Sequence, residues 1–166
     1  MRTCYGHVVM SEALHPNVVR VVEAGRRLGL DIVTRRFPEG TKTAQDAAAA
    51  IGVSVGQIVK SLVFAVDGEI VMAYVSGANQ LDEKKLAAAA GGTKCSRVDA
   101  DAVREATGFP IGGVPPFGHS TQLRVFVDPD LLQYDEVCGL RREHGTTTSV
   151  LRLRTLCVSL VASSPT

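Results

Sequence analysis

The spacing of apolar residues divides the first part of the chain into a helix and a strand. After residues 1–15, which show no clear period, valines recur at helical spacing from Val18 onwards. Asn17 is the predicted N-cap of this helix and Gly29 its predicted end. The apolar positions within residues 30–37 then favour a short strand.

Two helix-start signals follow. Thr43 and Asp46 have the spacing of a capping box, which predicts a helix over the alanine-rich residues 44–51. Ser54 and Gln57 repeat the signal and predict a brief second helical turn.

A β-hairpin is the clearest prediction in the middle of the chain. Residues 57–66 form a nearly continuous apolar run, and residues 69–75 form another. Asp67 and Gly68 lie between the two runs, and this dipeptide is a strong signal for a two-residue hairpin turn.

The second half of the chain continues the mixture of helices and strands. Asp82 is the predicted cap of a helix over residues 83–90, and Asp99 caps another that ends at Thr107. Residues 122–127 favour a strand.

Helices and strands that mix without strict alternation, together with a hairpin, predict an α+β fold with a mixed sheet. At 166 residues, the chain is interpreted as one domain over residues 1–166. Its two ends, residues 1–15 and 139–166, are atypical in pattern, although residues 150–161 again favour a strand.

A loop rich in glycine and proline follows the last predicted helix. Residues 107–119, called the Gly/Pro loop below, hold four of the sixteen glycines and three of the seven prolines among large apolar residues. Such a composition predicts a stiff, shaped loop pressed closely against another part of the protein or a ligand. A buried connection between a helix and a strand fits the same composition.

Lys60 is the strongest candidate for a functional side chain. It shares one face of its predicted strand with Ile58 and Leu62, while the opposite face carries Val59 and Ser61. A strand that is apolar on both faces is usually interior, and an ammonium placed there needs a polar or anionic partner. The alternative is a lysine near the strand end whose ammonium reaches solvent.

Other polar residues give weaker signals. Ser61 and Ser76 are candidates for hydrogen bonds to a ligand but have no evident base beside them, and His119 is a candidate at the end of the Gly/Pro loop. Asp128 and Asp130 flank a predicted turn, where capping explains them better than acid–base chemistry. The four cysteines and four histidines fall into no metal-ligand spacing.

Composition excludes some classes of protein. The apolar content of 45% is that of a globular chain, and the net charge of +1 argues against a protein that holds long duplexes by bulk charge. We find no apolar run of about 18 residues that would span a bilayer and no signal-peptide pattern. Cytoplasmic localisation without a membrane partner is therefore expected.

Taken together, several motifs resemble those of the YbaK/ProX family, relatives of the editing insertion domain of bacterial prolyl-tRNA synthetases. The resemblance runs from about Gly40 to Val137. Its most specific parts are Ile58-Val59-Lys60-Ser61-Leu62-Val63 and Thr107-Gly108-Phe109-Pro110-Ile111-Gly112-Gly113-Val114-Pro115-Pro116-Phe117-Gly118.

This resemblance implies an α+β fold with a mixed, mostly antiparallel six- or seven-stranded sheet flanked by helices. It also implies a trans-acting aminoacyl-tRNA deacylase without metal or organic cofactor, whose expected substrate is tRNA(Pro) carrying a small amino acid such as alanine, cysteine or serine. Prolyl-tRNA synthetase is a possible partner. The alternative is a non-catalytic module that binds or senses an aminoacyl group or a tRNA end.

The resemblance implies that Lys60 is the essential polar group and that the loop from Gly112 to Pro115 lines the pocket for the aminoacyl group. The chemistry of an ester and the candidate residues named above lead to the more detailed expectations that follow. Lys60 is expected to orient the ester, and backbone amides at Gly112 and Gly113 to complete an oxyanion site. The remaining residues are expected to bind the substrate, with the loop side chains closing a small pocket: Ser61, Ser76, Gly77, Phe109, Ile111, Val114, Pro115 and His119.

Overall fold

The computed structural model describes residues 15–30, 32–37, 42–142 and 148–154. These residues form one seven-stranded sheet with four α-helices, which confirms the predicted α+β class. The expectations for residues 1–14 and for the strand beyond residue 154 lie outside the described residues.

Four α-helices and two short 3-10 helices accompany the sheet. Their bounds are α1 (Pro16–Arg27), α2 (Ala44–Ile51), α3 (Glu83–Ala89) and α4 (Ala100–Thr107), with 3-10 turns at Val55–Gln57 and Pro129–Gln133. The Thr43/Asp46 capping box and the Asp82 and Asp99 caps are all present, so these start signals are confirmed.

The sheet is mixed and mostly antiparallel. Its strands are β1 (Val33–Phe37), β2 (Ile58–Val66), β3 (Glu69–Ser76), β4 (Cys95–Arg97), β5 (Arg124–Val127), β6 (Glu136–Arg142) and β7 (Thr148–Arg154). They lie in the order β1-β7-β6-β2-β3-β5, and β4 also pairs with β2. The β2/β6 and β3/β5 pairs are parallel, and the other pairs are antiparallel.

Three details of the sequence prediction were wrong. Helix α1 begins at Pro16 and is capped by His15, because proline suits the first helical position and the His15 ring accepts from the Asn17 N–H at 3.3 Å. Strand β4 was missed because it is only three residues long and largely polar. Strand β6 was missed because its end, from residue 139, reads as a polar and basic segment.

The predicted hairpin forms, and its turn ties a third strand to the sheet. Asp67 and Gly68 both have positive φ, 48° and 92°, which matches the right-handed twist of the strands they join. The Asp67 carboxylate accepts from the backbone N–H groups of Thr93 at 2.8 Å and Lys94 at 2.9 Å. This contact fixes the start of β4 beside the hairpin.

The two faces of β2 and β3 belong to different clusters of apolar side chains. One face, which includes Val59 and Tyr74, joins the largest buried cluster together with residues of α1 and α4. The other face, which includes Ile58 and Val75, packs against α2 and α3. Strand β2 is thus interior, as its apolar sequence predicted.

The Gly/Pro loop is part of the largest cluster. Phe109, Val114 and Phe117 are buried there against Val59 and Tyr74. The Tyr74 hydroxyl, which is buried with its ring, donates a hydrogen bond to the Pro116 carbonyl. The sheet therefore holds the loop both by apolar contact and by a buried polar bond.

Replacing Tyr74 with Phe is expected to lower the free energy of unfolding by about 1–2 kcal/mol, because the Pro116 carbonyl loses its donor while the ring remains. Urea denaturation followed by circular dichroism measures this change. An unfolding midpoint equal to that of the wild type would contradict the assigned role of the phenol.

Candidate functional site

Lys60 lies in β2 on the face that packs against α2 and α3. It is paired with Val75 of β3 and has Leu62 as its neighbour on the same face. Its side chain is half-buried, and Nζ donates a hydrogen bond to the backbone carbonyl of Asn79. The ammonium is thus partly desolvated but satisfied by a carbonyl, and it is not sealed in the core against a carboxylate.

Asn79 connects this lysine to two carboxylates. Its side-chain Nδ2 lies 2.9 Å from Asp128 Oδ2 and 2.7 Å from Asp130 Oδ2. Asp128 also accepts from the Ser76 N–H at 3.1 Å and caps the turn that follows it through the Asp130 N–H at 3.0 Å. Capping was predicted for these aspartates, whereas the link to Lys60 through Asn79 was not.

Lys60 and Asp128 influence each other's pKa. Burial lowers the pKa of Lys60 from its ordinary value, and the nearby Asp128 carboxylate offsets part of that effect. Burial raises the pKa of Asp128, but hydrogen bonds from Asn79, Asp130 and Ser76 and the charge of Lys60 together hold this pKa below its ordinary value. Asp128 is therefore a carboxylate at neutral pH, and it favours the charged form of the lysine.

Strand β2 has a gap in its pairing beside Lys60. Along the edge away from β3 it pairs with β6 at Ile58 and Val59, and with β4 from Phe64 to Val66. Between them, residues 60–63 have β3 as their only strand partner within the described part of the chain.

The backbone groups that face this gap follow from the β2/β3 register. The Gly77 N–H donates to the Ile58 carbonyl at 2.7 Å, so even-numbered residues of β2 direct their backbone groups towards β3. The alternate residues Ser61 and Val63 direct theirs into the gap, and both residues are half-buried. The gap therefore offers main-chain donors and acceptors next to a cation.

Ser76 and Gly77 have structural contacts of their own, and Ser61 lies beside the gap. The Ser76 hydroxyl is buried and donates to the Gly56 carbonyl at 2.8 Å, so it is already used inside the protein. Gly77 is packed so closely that an added Cβ would lie 2.4 Å from the Val55 carbonyl oxygen. The Ser61 side chain belongs to the face opposite Lys60, which leaves its main chain as the group beside the gap.

The tip of the Gly/Pro loop is exposed, and one of its two candidate amides is occupied. The Gly113 N–H donates to the Pro110 carbonyl at 3.0 Å and closes a turn, so the Gly113 amide is not free for a substrate. Gly112 has φ of +78° and Ile111 is 59% exposed. Of the two candidate amides, that of Gly112 therefore remains a prediction.

Most of the residues expected to form an apolar pocket wall are buried. Phe109 is fully buried, and Val114 and Pro115 are buried as well, so these side chains shape the loop from inside. Ile111 alone among the predicted apolar wall residues faces outward.

His119 joins two other parts of the Gly/Pro loop. Its Nε2 lies 2.8 Å from the Pro115 carbonyl, and because a carbonyl only accepts, Nε2 must carry the proton. Its ring also meets Phe109 edge-on, with 6.3 Å between the centroids. Burial and, to a smaller extent, the charge of Arg20 lower the pKa of His119 against the opposing effect of the Pro115 carbonyl.

Lys60 and the buried part of the loop therefore occupy opposite faces of the sheet. The loop packs on the face of Val59 and Tyr74, whereas Lys60 lies on the face of Val75. Among the described residues, the gap in β2 is the stretch beside Lys60 where the strand has no partner on one edge.

Other sites are absent from the described part of the chain. No group of three or more histidine, cysteine, aspartate or glutamate side chains there is arranged to hold a metal ion. Among the same residues, no helix is both long and apolar enough to cross a membrane.

Comparison with known proteins identifies the family. The model of the aminoacyl-tRNA editing domain matches residues 38–155, which include β2, the Gly/Pro loop and Asp128. The chain belongs to the aminoacyl-tRNA editing domain family. The match extends beyond Val137, so most of the atypical C-terminal segment, whose residues 139–142 and 148–154 lie in β6 and β7, falls inside this family's domain.

Sequence relatives include a proline–tRNA ligase and an uncharacterized protein. A proline–tRNA ligase of Maridesulfovibrio salexigens is 35% identical over 104 residues, which is 62% of this chain and 18% of the ligase. The uncharacterized protein YwhH of Bacillus subtilis is 34% identical over 108 residues, covering 63% of this chain and 69% of that protein. This chain thus spans about a fifth of the ligase but most of YwhH.

Solved structures agree with the YbaK/ProX resemblance. A protein described as a candidate trans-editing enzyme for prolyl-tRNA synthetase is 38% identical with a TM-score of 0.79, covering 92% of this chain and 96% of that one. The hypothetical protein APE2540 is 27% identical with a TM-score of 0.75, covering 87% and 95%.

Asp128→Asn is expected to destabilise this editing domain at pH 7, and the difference from the wild type should shrink as the pH falls below about 4. The folded pKa of Asp128 is depressed, so its stabilising contribution exists above the unfolded pKa and is lost as the pH falls through the folded pKa. Urea midpoints at several pH values measure both effects. The matched control is Asp135→Asn at an exposed position. A difference in urea midpoint between wild type and the Asp128 variant that does not change with pH would contradict the depressed pKa of Asp128.

Proposed function

We propose that this chain is a trans-acting aminoacyl-tRNA deacylase that hydrolyses the ester of mischarged tRNA, with tRNA(Pro) carrying a small amino acid as its substrate. The observation that carries the proposal is the partly buried Lys60 ammonium in an otherwise apolar strand of an editing domain. The structural relative described as a candidate trans-editing enzyme, matched over nearly its whole length, supports action in trans. Proline–tRNA ligases among the relatives support tRNA(Pro) and a partnership with prolyl-tRNA synthetase.

Hydrolysis of an aminoacyl ester requires few catalytic groups from the protein. An aminoacyl ester is already activated, so a water molecule can attack its carbonyl carbon once the ester is positioned and the developing oxyanion is stabilised. The tetrahedral intermediate then expels the ribose oxygen, which takes up a proton, and releases the free amino acid. A ribose hydroxyl next to the ester is the group of the substrate best placed to assist this proton transfer.

Lys60 supplies the positive charge for this reaction. An ammonium has three N–H donors, and the Asn79 carbonyl accepts from one of them. The others are assigned to the ester carbonyl or to the terminal ribose oxygens. Because the site is partly desolvated, such a charge-assisted bond is stronger there than in bulk water.

We place the ester beside the gap in β2. The main-chain groups of Ser61 and Val63 border this gap, and Lys60 extends from the same stretch of strand. The exposed tip of the Gly/Pro loop at Ile111 and Gly112 is proposed to approach from the other face, with the Gly112 N–H as the second oxyanion donor and Ile111 as the apolar contact.

Lys60→Ala is expected to reduce deacylation of Ala-tRNA(Pro) by about 100- to 1,000-fold, the usual effect of removing one oxyanion donor. Release of labelled alanine under single-turnover conditions measures the rate. Lys84→Ala, which removes an exposed lysine from α3, is the matched control and should retain wild-type activity.

The same assay distinguishes the alternative function. A wild-type protein that binds mischarged tRNA without cleaving any ester would be the non-catalytic module. Full deacylation by the Lys60 variant would refute the catalytic role of this lysine, because unfolding lowers activity and cannot preserve it.

Gly112→Ala is expected to lower deacylation by at least about tenfold, because a donor moved from its position no longer meets the oxyanion. Gly91→Ala is a closely matched control, since Gly91 and Gly112 have φ of +77° and +78° and neither has an atom within 4 Å of an added Cβ. Both variants should lose about 1 kcal/mol of stability from the strained backbone. Equal activity of the two variants would exclude the loop tip from the reaction.

A further inference from the structure

The guanidinium of Arg20 lies at the base of the Gly/Pro loop. Its Cζ is 4.7 Å from the centre of the Phe109 ring, and its Nη2 donates to the Ser120 hydroxyl at 3.2 Å. An added Cβ on Gly108 would lie 2.7 Å from Arg20 Nη1 and 2.3 Å from the Ser120 hydroxyl oxygen. The arginine thus contacts residues on both sides of the loop base.

Hydrogen bonds join the two ends of the Gly/Pro loop next to Arg20. The Ser120 N–H donates to the Thr107 carbonyl at 2.9 Å, and the Thr121 hydroxyl donates to the Ala106 carbonyl at 2.7 Å. These bonds join the end of α4 to the residues after the loop. Arg20 lies next to these bonds, and its guanidinium also contacts the Phe109 ring inside the loop.

Helix α1 also follows the loop along its far side. An added Cβ on Gly25 would lie 3.1 Å from the Phe117 ring, and one on Gly118 would lie 3.4 Å from the Ala24 side chain. The nearest atom to such a Cβ on Gly25 is Ile32 Cδ1 at 1.8 Å, and Gly118 has φ of +85°, so the distances to Phe117 and Ala24 show contact between the helix and the loop and no more. Arg20 is therefore the polar end of a continuous contact between α1 and the loop.

We propose that Arg20 is a positioning residue that holds the Gly/Pro loop in the conformation that the substrate requires. Helix α1 lies outside residues 38–155, the part of the chain that the family model matches. The loop tip is exposed and is closed by the bond from the Gly113 N–H to the Pro110 carbonyl. Arg20 would therefore act at the loop base together with the core anchors Val114 and Phe117 in setting the position of the tip. The inference rests on the proposed function, because it assumes that the loop tip contacts the substrate.

A planar guanidinium suits this position better than an ammonium would. A guanidinium can lie over an aromatic ring and still donate in its own plane, and here one side chain contacts Phe109 and Ser120 together. Phe109 lies between Arg20 and the His119 ring, and His119 in turn binds the Pro115 carbonyl. Contacts thus continue from α1 to the second half of the loop.

The test uses the full chain with Arg20→Met and Arg20→Lys. Methionine keeps an apolar stem without the guanidinium, and lysine keeps the charge without the planar fork. Arg27→Met is the control, because Arg27 is exposed on the same helix. Hydrogen exchange measured by mass spectrometry on peptides from residues 108–119 reports the loop, and peptides from Ile58–Val66 report the sheet.

The expected result is faster exchange in the loop alone. In Arg20→Met, loop exchange should rise about tenfold while the β2 peptides keep their protection, because local opening is independent of global unfolding. Lysine should restore part of the protection, and Arg27→Met should change nothing. Exchange that rises equally in the loop and in β2, or does not rise, would overturn the proposal.

Steady-state deacylation supplies the second readout. If only a fraction of molecules hold the loop correctly, KM should rise about five- to tenfold in Arg20→Met while kcat stays within about twofold. Faster loop exchange with unchanged KM and kcat would overturn the positioning role. A wild-type protein without deacylase activity would instead refute the proposed function, and the exchange result would still report whether Arg20 orders the loop.

Discussion

The structure depends on how one cation is accommodated in the middle of an apolar sheet. Lys60 is the only formally charged residue of β2, a strand that is paired on both of its edges except at residues 60–63. Desolvation of its ammonium is unfavourable, and the chain offsets this with the Asn79 carbonyl and with the field of Asp128. Asn79 follows β3 and Asp128 follows β5, so the order of strands in the sheet is what brings the lysine and its partners together.

The Gly/Pro loop obeys a different constraint, which is that its apolar side chains belong to the core. Phe109, Val114 and Phe117 are buried in the largest cluster, and the buried Tyr74 hydroxyl binds the Pro116 carbonyl. These anchors fix the loop on the face of the sheet opposite Lys60. The exposed tip is therefore the part of the loop that we propose contributes to a site with Lys60.

The sequence predicted the elements well where local signals decide them, and it predicted the site less well. The capping residues Thr43, Asp82 and Asp99 and the Asp67-Gly68 turn act over a few residues, so their patterns are readable. The link from Lys60 to Asp128 cannot be read from the sequence, because Asn79 and Asp128 are 49 residues apart and meet only through the sheet. The exposure of the loop side chains was misjudged for the same reason, since composition does not say which face of a sheet a loop covers.

The arrangement around Lys60 also explains how the charge of its ammonium can be stabilised without a direct ion pair. A direct ion pair with Asp128 would hold the ammonium by its strongest partner, whereas here the carboxylate is bound to the Asn79 side chain and the Ser76 N–H. Its field still favours the protonated lysine, because an electrostatic attraction does not require contact. Among the described residues, the ammonium donates only to the Asn79 carbonyl, and an ammonium has three donors. A carbonyl partner and a nearby, separately bonded carboxylate together favour the charged form of this group without a direct ion pair.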